Sequence, residues 1–317
     1  MPRVIHHDPD WPSFVGHGWA ERIFTEPVTD RFHAKQGRSI GRWTLTAADG
    51  RTLVVYLKRH FQLPWIDGLF ARVWPWRAWS PGLQEWEHLR TAAKAGVPVP
   101  RAVAVGEFRG PGAKLRSFLA VEELAGMLPL HEAIPLAFAR LPADEFHWWK
   151  RGLIAEMARL TRLLHRRRLF HRDLYLCHFY IAESDTGLSP GGWAGRVVMI
   201  DFHRLTRSRW RWPWATAKDL GQLLYSTFDV PGITDVDRAR FWKHYRAGDW
   251  GNVTVPPGWV KRLSRWKGRR YYGHNVKRLN PSPLEERGRG EGDSSSAPVL
   301  IPPHPQPLTP RGEGGEQ

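Results

Sequence analysis

Two aspartates in different local settings constrain this chain more than any other feature. Asp173 lies in the loop Phe170-His171-Arg172-Asp173-Leu174-Tyr175-Leu176-Cys177-His178-Phe179-Tyr180-Ile181, and Asp201 closes an apolar run in Val197-Val198-Met199-Ile200-Asp201-Phe202-His203. Ahead of the loop, Phe146, Trp149, Leu153, Met157, Leu160 and Leu164 recur every three or four residues, which predicts a long helix from residue 143. Its basic end, Arg166-Arg167-Arg168, suits the negative pole of the helix dipole and runs into the loop. Short strands are expected at 179–182 and 196–201. One carboxylate thus follows a helix and the other ends a strand.

Upstream, Arg42–Thr46 and Thr52–Leu57 read as strands joined by the turn Ala48-Asp49-Gly50, with Lys58 closing the second strand. Ser80 as N-cap and Pro81 at the first helical position open a helix that Gly96 and Pro98 stop. On a helix whose apolar face carries Leu83, Trp86 and Leu89, Glu85 and Glu87 lie about 200° apart, so only one of them faces a cleft. Strands around 102–105 and 118–121 lead to Glu122-Glu123-Leu124-Ala125-Gly126, the natural hinge between two lobes. Further helices are expected from Thr216 and Thr234 as N-caps.

A strand Lys, a helix Glu, a long helix, a loop Asp and a strand Asp, in that order, are the parts of the protein-kinase template. Phosphoryl transfer needs a cation on the phosphates, a carboxylate on Mg²⁺ and a carboxylate that orients the attacking hydroxyl. Lys58, Asp201 and Asp173 are the candidates, with Glu85 or Glu87 pairing Lys58. Lys35-Gln36-Gly37-Arg38-Ser39-Ile40-Gly41-Arg42 is the candidate phosphate loop, with Gly37 and Gly41 where the template has three glycines; an ordinary β-turn is the alternative. Glu122 and Leu124 at the hinge are candidate nucleotide contacts.

Two residues depart from the template: His178 stands where it has Asn, and His203 where it has Gly. Mg²⁺ prefers oxygen ligands, so His178 is expected to bond a phosphate or to orient Asp201, the alternative being a packed loop histidine. Tyr175 either contacts the acceptor or fills the loop. His171 and Arg172 are expected to support the loop, and Asp219 to anchor it from below.

Both departures fit a different pattern. His-Arg-Asp-x-Tyr-x-Cys-His-Phe with Ile-Asp-x-His-Arg downstream resembles the bacterial lipopolysaccharide core kinases, which phosphorylate heptose or Kdo sugars on a lipid-linked acceptor. Val55-Tyr56-Leu57-Lys58-Arg59-His60, Glu85-Trp86 ahead of Ala95-Gly96-Val97-Pro98-Val99-Pro100, and Lys218-Asp219-Leu220 extend the resemblance, and its Glu-Trp dipeptide favours Glu85 over Glu87. The resemblance implies an α+β, bilobal protein-kinase-like fold, with a β-rich N-lobe over 1–124 and a mainly helical C-lobe over 125–279. It also implies ATP and Mg²⁺ as cofactors and a lipopolysaccharide-core glycolipid as acceptor.

A net charge of +16 calls for an anionic partner. There is no apolar run of membrane-spanning length, and the start lacks the apolar core of a signal peptide. A cytoplasmic protein is expected, in peripheral contact with the anionic inner membrane. Cys177 is the single cysteine, which excludes an internal disulfide and a multi-Cys zinc site. Many of the 18 tryptophans adjoin arginine, a pairing that suits a membrane interface, a sugar or a nucleobase. The aromatic segment Phe61–Trp79, with Trp74, Trp76 and Trp79, is the expected membrane or glycolipid contact; packing on the small lobe is the alternative. Residues 280–317, rich in Pro, Gly, Glu and Ser without apolar periodicity, are expected to be a disordered tail.

Two other readings are a kinase for proteins or small soluble molecules and a basic pseudokinase or binding module. Intact Lys58, Asp173 and Asp201 speak against a dead kinase. No nucleic-acid motif with the right spacing appears, so no nucleic acid is expected as partner.

Overall fold

Alternating burial builds the N-terminal lobe. In the computed structural model, which describes residues 2–27, 37–74, 76–187 and 191–279, β1 (Pro2–His7), β2 (Arg38–Thr46), β3 (Thr52–His60), β4 (Ala102–Arg109) and β5 (Leu115–Glu122) form an antiparallel sheet in the order β1-β4-β5-β3-β2. Leu53, Val55 and Leu57 on β3 are buried on one face, and the two-residue period turns Lys58 to the other. Trp11 of α1 (Trp11–Val15), together with Ile23 and Phe24 just past α2 (Trp19–Arg22), covers the buried face with Phe108 and Phe118. The sequence reading placed residues 1–124 in this lobe but assigned no element ahead of the β2–β3 hairpin, and so missed that layer.

α3 (Trp65–Val73) and α4 (Pro81–Lys94) link β3 to β4. α4 approaches the sheet so closely that a Cβ at Gly82 would lie 2.9 Å from the Phe118 carbonyl oxygen, which reserves the position for glycine. Ser80 precedes the helix without capping it by its side chain; its main-chain N–H donates to Glu107 Oε2 at 3.0 Å. In the aromatic segment Trp65, Trp74 and Trp76 are exposed, whereas Trp79 stacks on Phe70 at 4.9 Å and donates to the Trp74 carbonyl. Trp79 is therefore a packing residue and not part of an exposed contact.

The C-lobe starts with β6 (Met127–Pro129), α5 (Leu130–Arg140) and α6 (Ala143–His165). α6 buries the six apolar residues whose spacing predicts it. β7 (Leu169–Phe170), β8 (Phe179–Ala182), β9 (Val198–Met199) and β10 (Thr206–Arg207) form two small sheets, β6-β8-β9 and β7-β10, that bracket the loops carrying Asp173 and Asp201. α7 (Trp212–Tyr225), α8 (Asp235–Ala247) and α9 (Gly258–Leu279) follow. α7 starts four residues ahead of the expected Thr216, because Pro213 fits the first turn; Thr216 is buried inside the helix. Thr234 does cap α8, in a reciprocal capping box with Asp237. One core cluster runs from Leu83 and Leu89 of α4 through Phe202 to Leu160 of α6, so the lobes share apolar packing. Among the described residues no helix is long and apolar enough to cross a membrane. The expected tail, 280–317, lies outside the described residues.

Candidate active site

The loop after α6 hangs from one buried carboxylate. Asp219, fully buried on α7, accepts the His171 N–H at 2.8 Å on Oδ2 and the Arg172 N–H at 2.9 Å on Oδ1, and lies 3.2 Å from His165 Nε2. This grip holds Arg172 in the left-handed region, φ 73°, where a residue with a Cβ is strained. The Lys218 ammonium donates to the Arg172 carbonyl at 2.7 Å and braces the same turn. Asp219 thus occupies the anchoring place expected of it.

Asp201 shares the left-handed conformation, φ 65°. Beneath it His171 Nε2–H donates to the Ile200 carbonyl at 3.0 Å, and its ring lies against Phe202. Burial, helped by the nearby His178, pushes the His171 pKa down to about 4, so the ring is neutral. His178 Nδ1–H donates to the Asp173 main-chain carbonyl at 2.7 Å, while its Nε2 lies 3.5 Å from Asp201 Oδ2. His178 thus lies between the Asp173 loop and Asp201.

His203 spans the two carboxylates, with Nδ1 2.5 Å from Asp201 Oδ1 and Nε2 3.8 Å from Asp173 Oδ2. Burial opposes a proton on His203, but the hydrogen bond and charge of Asp201 outweigh it and raise the His203 pKa. Burial likewise opposes charge on Asp201, yet His203, Lys58 and His178 hold its carboxyl well below the usual range. Asp173 receives Arg204 Nη1 at 3.1 and 3.2 Å on its two oxygens. Gln222 Nε2 lies 3.5 Å from Asp173 Oδ1 and donates to the Tyr175 hydroxyl at 2.9 Å.

Across the cleft, Lys58 Nζ donates to Glu85 Oε1 at 2.6 Å. Burial works against the Lys58 charge, but Glu85 and Asp201 together raise its pKa, so the ammonium lies within the field of both lobes. Glu87 is exposed. His88, on the turn after Glu85, donates from Nδ1 to the Phe202 carbonyl at 2.9 Å and ties α4 to the Asp201 segment. Ile40 of β2 pairs with Lys58, and Arg38 pairs with His60 at the same end of the hairpin.

The expected phosphate loop is a strand from Arg38 onward, and Gly41 lies inside β2 opposite Leu57. Its main chain is committed to the β2–β3 ladder, which corrects the loop assignment at Gly41. Gly37 has φ 62°, and its carbonyl accepts the Phe61 N–H at 2.7 Å; Lys35 and Gln36 lie outside the described residues. At the hinge the Glu122 carboxylate accepts Arg101 Nε at 2.7 Å and the Leu124 carbonyl accepts the Met127 N–H at 3.2 Å. With its side chain engaged and its N–H donating to the Arg101 carbonyl at 2.8 Å, Glu122 has only its carbonyl to offer a ligand.

Among the described residues no cluster of three or more His, Cys, Asp or Glu forms a metal cage. Mg²⁺ does not require one, since it is commonly held by one or two carboxylates, substrate phosphates and water. The ionised Asp201 carboxylate fits that mode. The sequence reading did not assign His203, Arg204, Gln222 or His88. The signal for the first two was present in Ile200-Asp201-Phe202-His203-Arg204, where both follow the second aspartate directly.

The chain is similar to known proteins. The lipopolysaccharide core heptose(I) kinase WaaP of Pseudomonas aeruginosa is 35% identical over 167 residues, which are 51% of this chain and 58% of that protein. Its namesake in Escherichia coli K12 is 31% identical over 168 residues, 51% of this chain and 58% of that protein. The matched region therefore spans little more than half the length of these relatives. A solved structure described as WaaP in complex with acyl carrier protein superimposes with a TM-score of 0.59 at 27% identity, covering 85% of this chain and 99% of that one. The fold is accordingly α+β and of the WaaP kind. The sequence pattern of the lipopolysaccharide kinase (Kdo/WaaP) family matches residues 40–245, and the chain belongs to that family.

Proposed function

We propose that this protein is an ATP- and Mg²⁺-dependent kinase that phosphorylates a heptose or Kdo hydroxyl of a lipopolysaccharide-core glycolipid. The observation that carries the reading is the reach of His203 to both Asp201 and Asp173, which brings two carboxylates of different character into one cleft. Asp173, half-buried and linked through Gln222 to Tyr175, orients the acceptor hydroxyl and takes its proton as the new O–P bond forms and the bond from phosphorus to the nucleotide's leaving oxygen breaks. Lys58, fixed by Glu85, holds the nucleotide phosphates. Asp201 is the residue to hold Mg²⁺, which when bound neutralises phosphate charge. Gly37 and the main chain at Glu122 and Leu124 are the proposed nucleotide contacts.

A lipid-linked acceptor places this activity at the cytoplasmic face of the inner membrane, and the net charge of +16 supports an anionic surface as partner. The acyl carrier protein named with the solved WaaP structure is a further candidate partner, one that the sequence reading did not include.

Incubation with labelled ATP, lipopolysaccharide-core acceptors and generic protein substrates tests the reading. Label is expected in the core sugar, and Asp173→Asn is expected to fold, bind ATP and lose transfer by orders of magnitude. Label in protein instead would favour a protein kinase, and no transfer to any acceptor would favour a binding module.

A further inference from the structure

The C-lobe carries a concentration of charge that the active site does not use. Beyond Arg204 the chain reads Arg207-Ser208-Arg209-Trp210-Arg211-Trp212-Pro213-Trp214, with Arg207, Arg209 and Arg211 exposed, Trp210 95% exposed and Trp214 58% exposed. Trp214 meets Trp259 of α9 at a ring distance of 5.7 Å, which joins this segment to a second basic one. Over residues 258–272, α9 carries Lys261, Arg262, Arg265, Lys267, Arg269 and Arg270 without a carboxylate, and Trp266 is 53% exposed. Among the described residues, Arg207, Arg209, Arg211, Arg262, Arg265 and Arg269 form no ion pair. Exposed indoles set among guanidinium groups that no carboxylate neutralises suit an anionic partner with an apolar layer.

The surface is built onto the catalytic loop. Thr206 and Arg207 pair with Phe170 and Leu169, and the Ser208 N–H donates to the Arg168 carbonyl at 3.0 Å. We infer that this basic, tryptophan-bearing face, formed by residues 207–214 and α9, docks on an anionic lipid bilayer, the guanidinium groups meeting headgroup phosphates and the indoles entering the interfacial layer. Both side-chain types are suited to that boundary. The choice of a bilayer over other polyanions rests on the glycolipid kinase reading.

The competing surface is α3. Its exposed Trp65, Ile66, Leu69 and Val73 are apolar, but the helix carries only Asp67 and Arg72 as charged residues. With no net charge it has no means of preferring an anionic bilayer.

Sedimentation of the full chain with phosphatidylcholine vesicles, with and without phosphatidylglycerol, tests the inference. Wild type is expected to bind the anionic vesicles, and both Trp210→Ser with Trp214→Ser and Arg209→Ser with Arg211→Ser to weaken that binding by about tenfold. Thermal melting and phosphorylation of a delipidated, water-soluble core oligosaccharide should match wild type in both variants. Unchanged vesicle binding by these variants overturns the docking face, as does complete loss of binding in Trp65→Ser with Trp76→Ser alone. Sedimentation needs no turnover, so the two readings fail separately. Vesicle binding without phosphate transfer to any acceptor sinks the kinase reading; transfer without vesicle binding sinks only the docking face.

Discussion

Arg204 grips Asp173, with one guanidinium nitrogen 3.1 Å from the first carboxylate oxygen and 3.2 Å from the second. In the proposed mechanism the acceptor hydroxyl shares these oxygens with the guanidinium, which stands as a permanent cation beside the group in transfer. Arg204→Ala is expected to lower kcat about 100-fold while leaving KM for ATP nearly unchanged, and Arg204→Lys to recover only part of the loss because it lacks the planar fork. Steady-state kinetics on the core acceptor read this directly. A wild-type kcat in Arg204→Ala removes the residue from the reaction.

Asp201→Ala should abolish the Mg²⁺ dependence of nucleotide binding if that carboxylate is, as proposed, the oxygen ligand that holds the ion. Calorimetric titration with ATP, with and without Mg²⁺, measures it. Equal Mg²⁺-ATP affinity in variant and wild type would show that the ion is held elsewhere.

Asp219→Ala strips the acceptor from two main-chain N–H groups and leaves them buried. A loss of about 3 kcal/mol or more is expected in urea unfolding, together with loss of activity, because the strained Arg172 turn relaxes. A variant as stable as wild type would mean that the loop does not depend on this anchor.

Acid should weaken the fold through two neutral histidines, His171 buried and His60 half-buried. Burial is the main force pushing His171 and His60 down to about 4 from an ordinary 6.5. Between those values the unfolded chain binds protons that the folded one refuses. The stabilisation is therefore present above pH 6.5 and is lost as pH falls towards 4. Urea midpoints at pH 7.5, 6 and 5 are expected to decline in that order, with a shallower decline in His171→Asn. A flat profile across this range would contradict the burial argument.

How much of this was legible in the sequence follows from the range of the interactions. The alternation in Thr52–Leu57 and the three-four spacing along α6 are local, and they located β3 with Lys58 and α6 with the Asp173 loop that follows it, although β3 runs on past Lys58 to His60. The layer formed by β1, α1 and α2 was not legible, because helices of five and four residues are too short to show a period. Gly41 was misread because a glycine in a strand looks the same in sequence as a glycine in a loop. Contacts such as Gln222 to Asp173, 49 residues apart, arise only when α7 packs under the loop.

The bond from His88 to the Phe202 carbonyl fastens together two parts that could otherwise drift independently. Swinging α4 outward would break it, separate Lys58 from Glu85 and pull Leu89 away from the core it shares with Phe202. On the kinase reading proposed above, the nucleotide cleft is therefore assembled before any ligand arrives, and the rate is set by the arrival of substrates rather than by closure of α4.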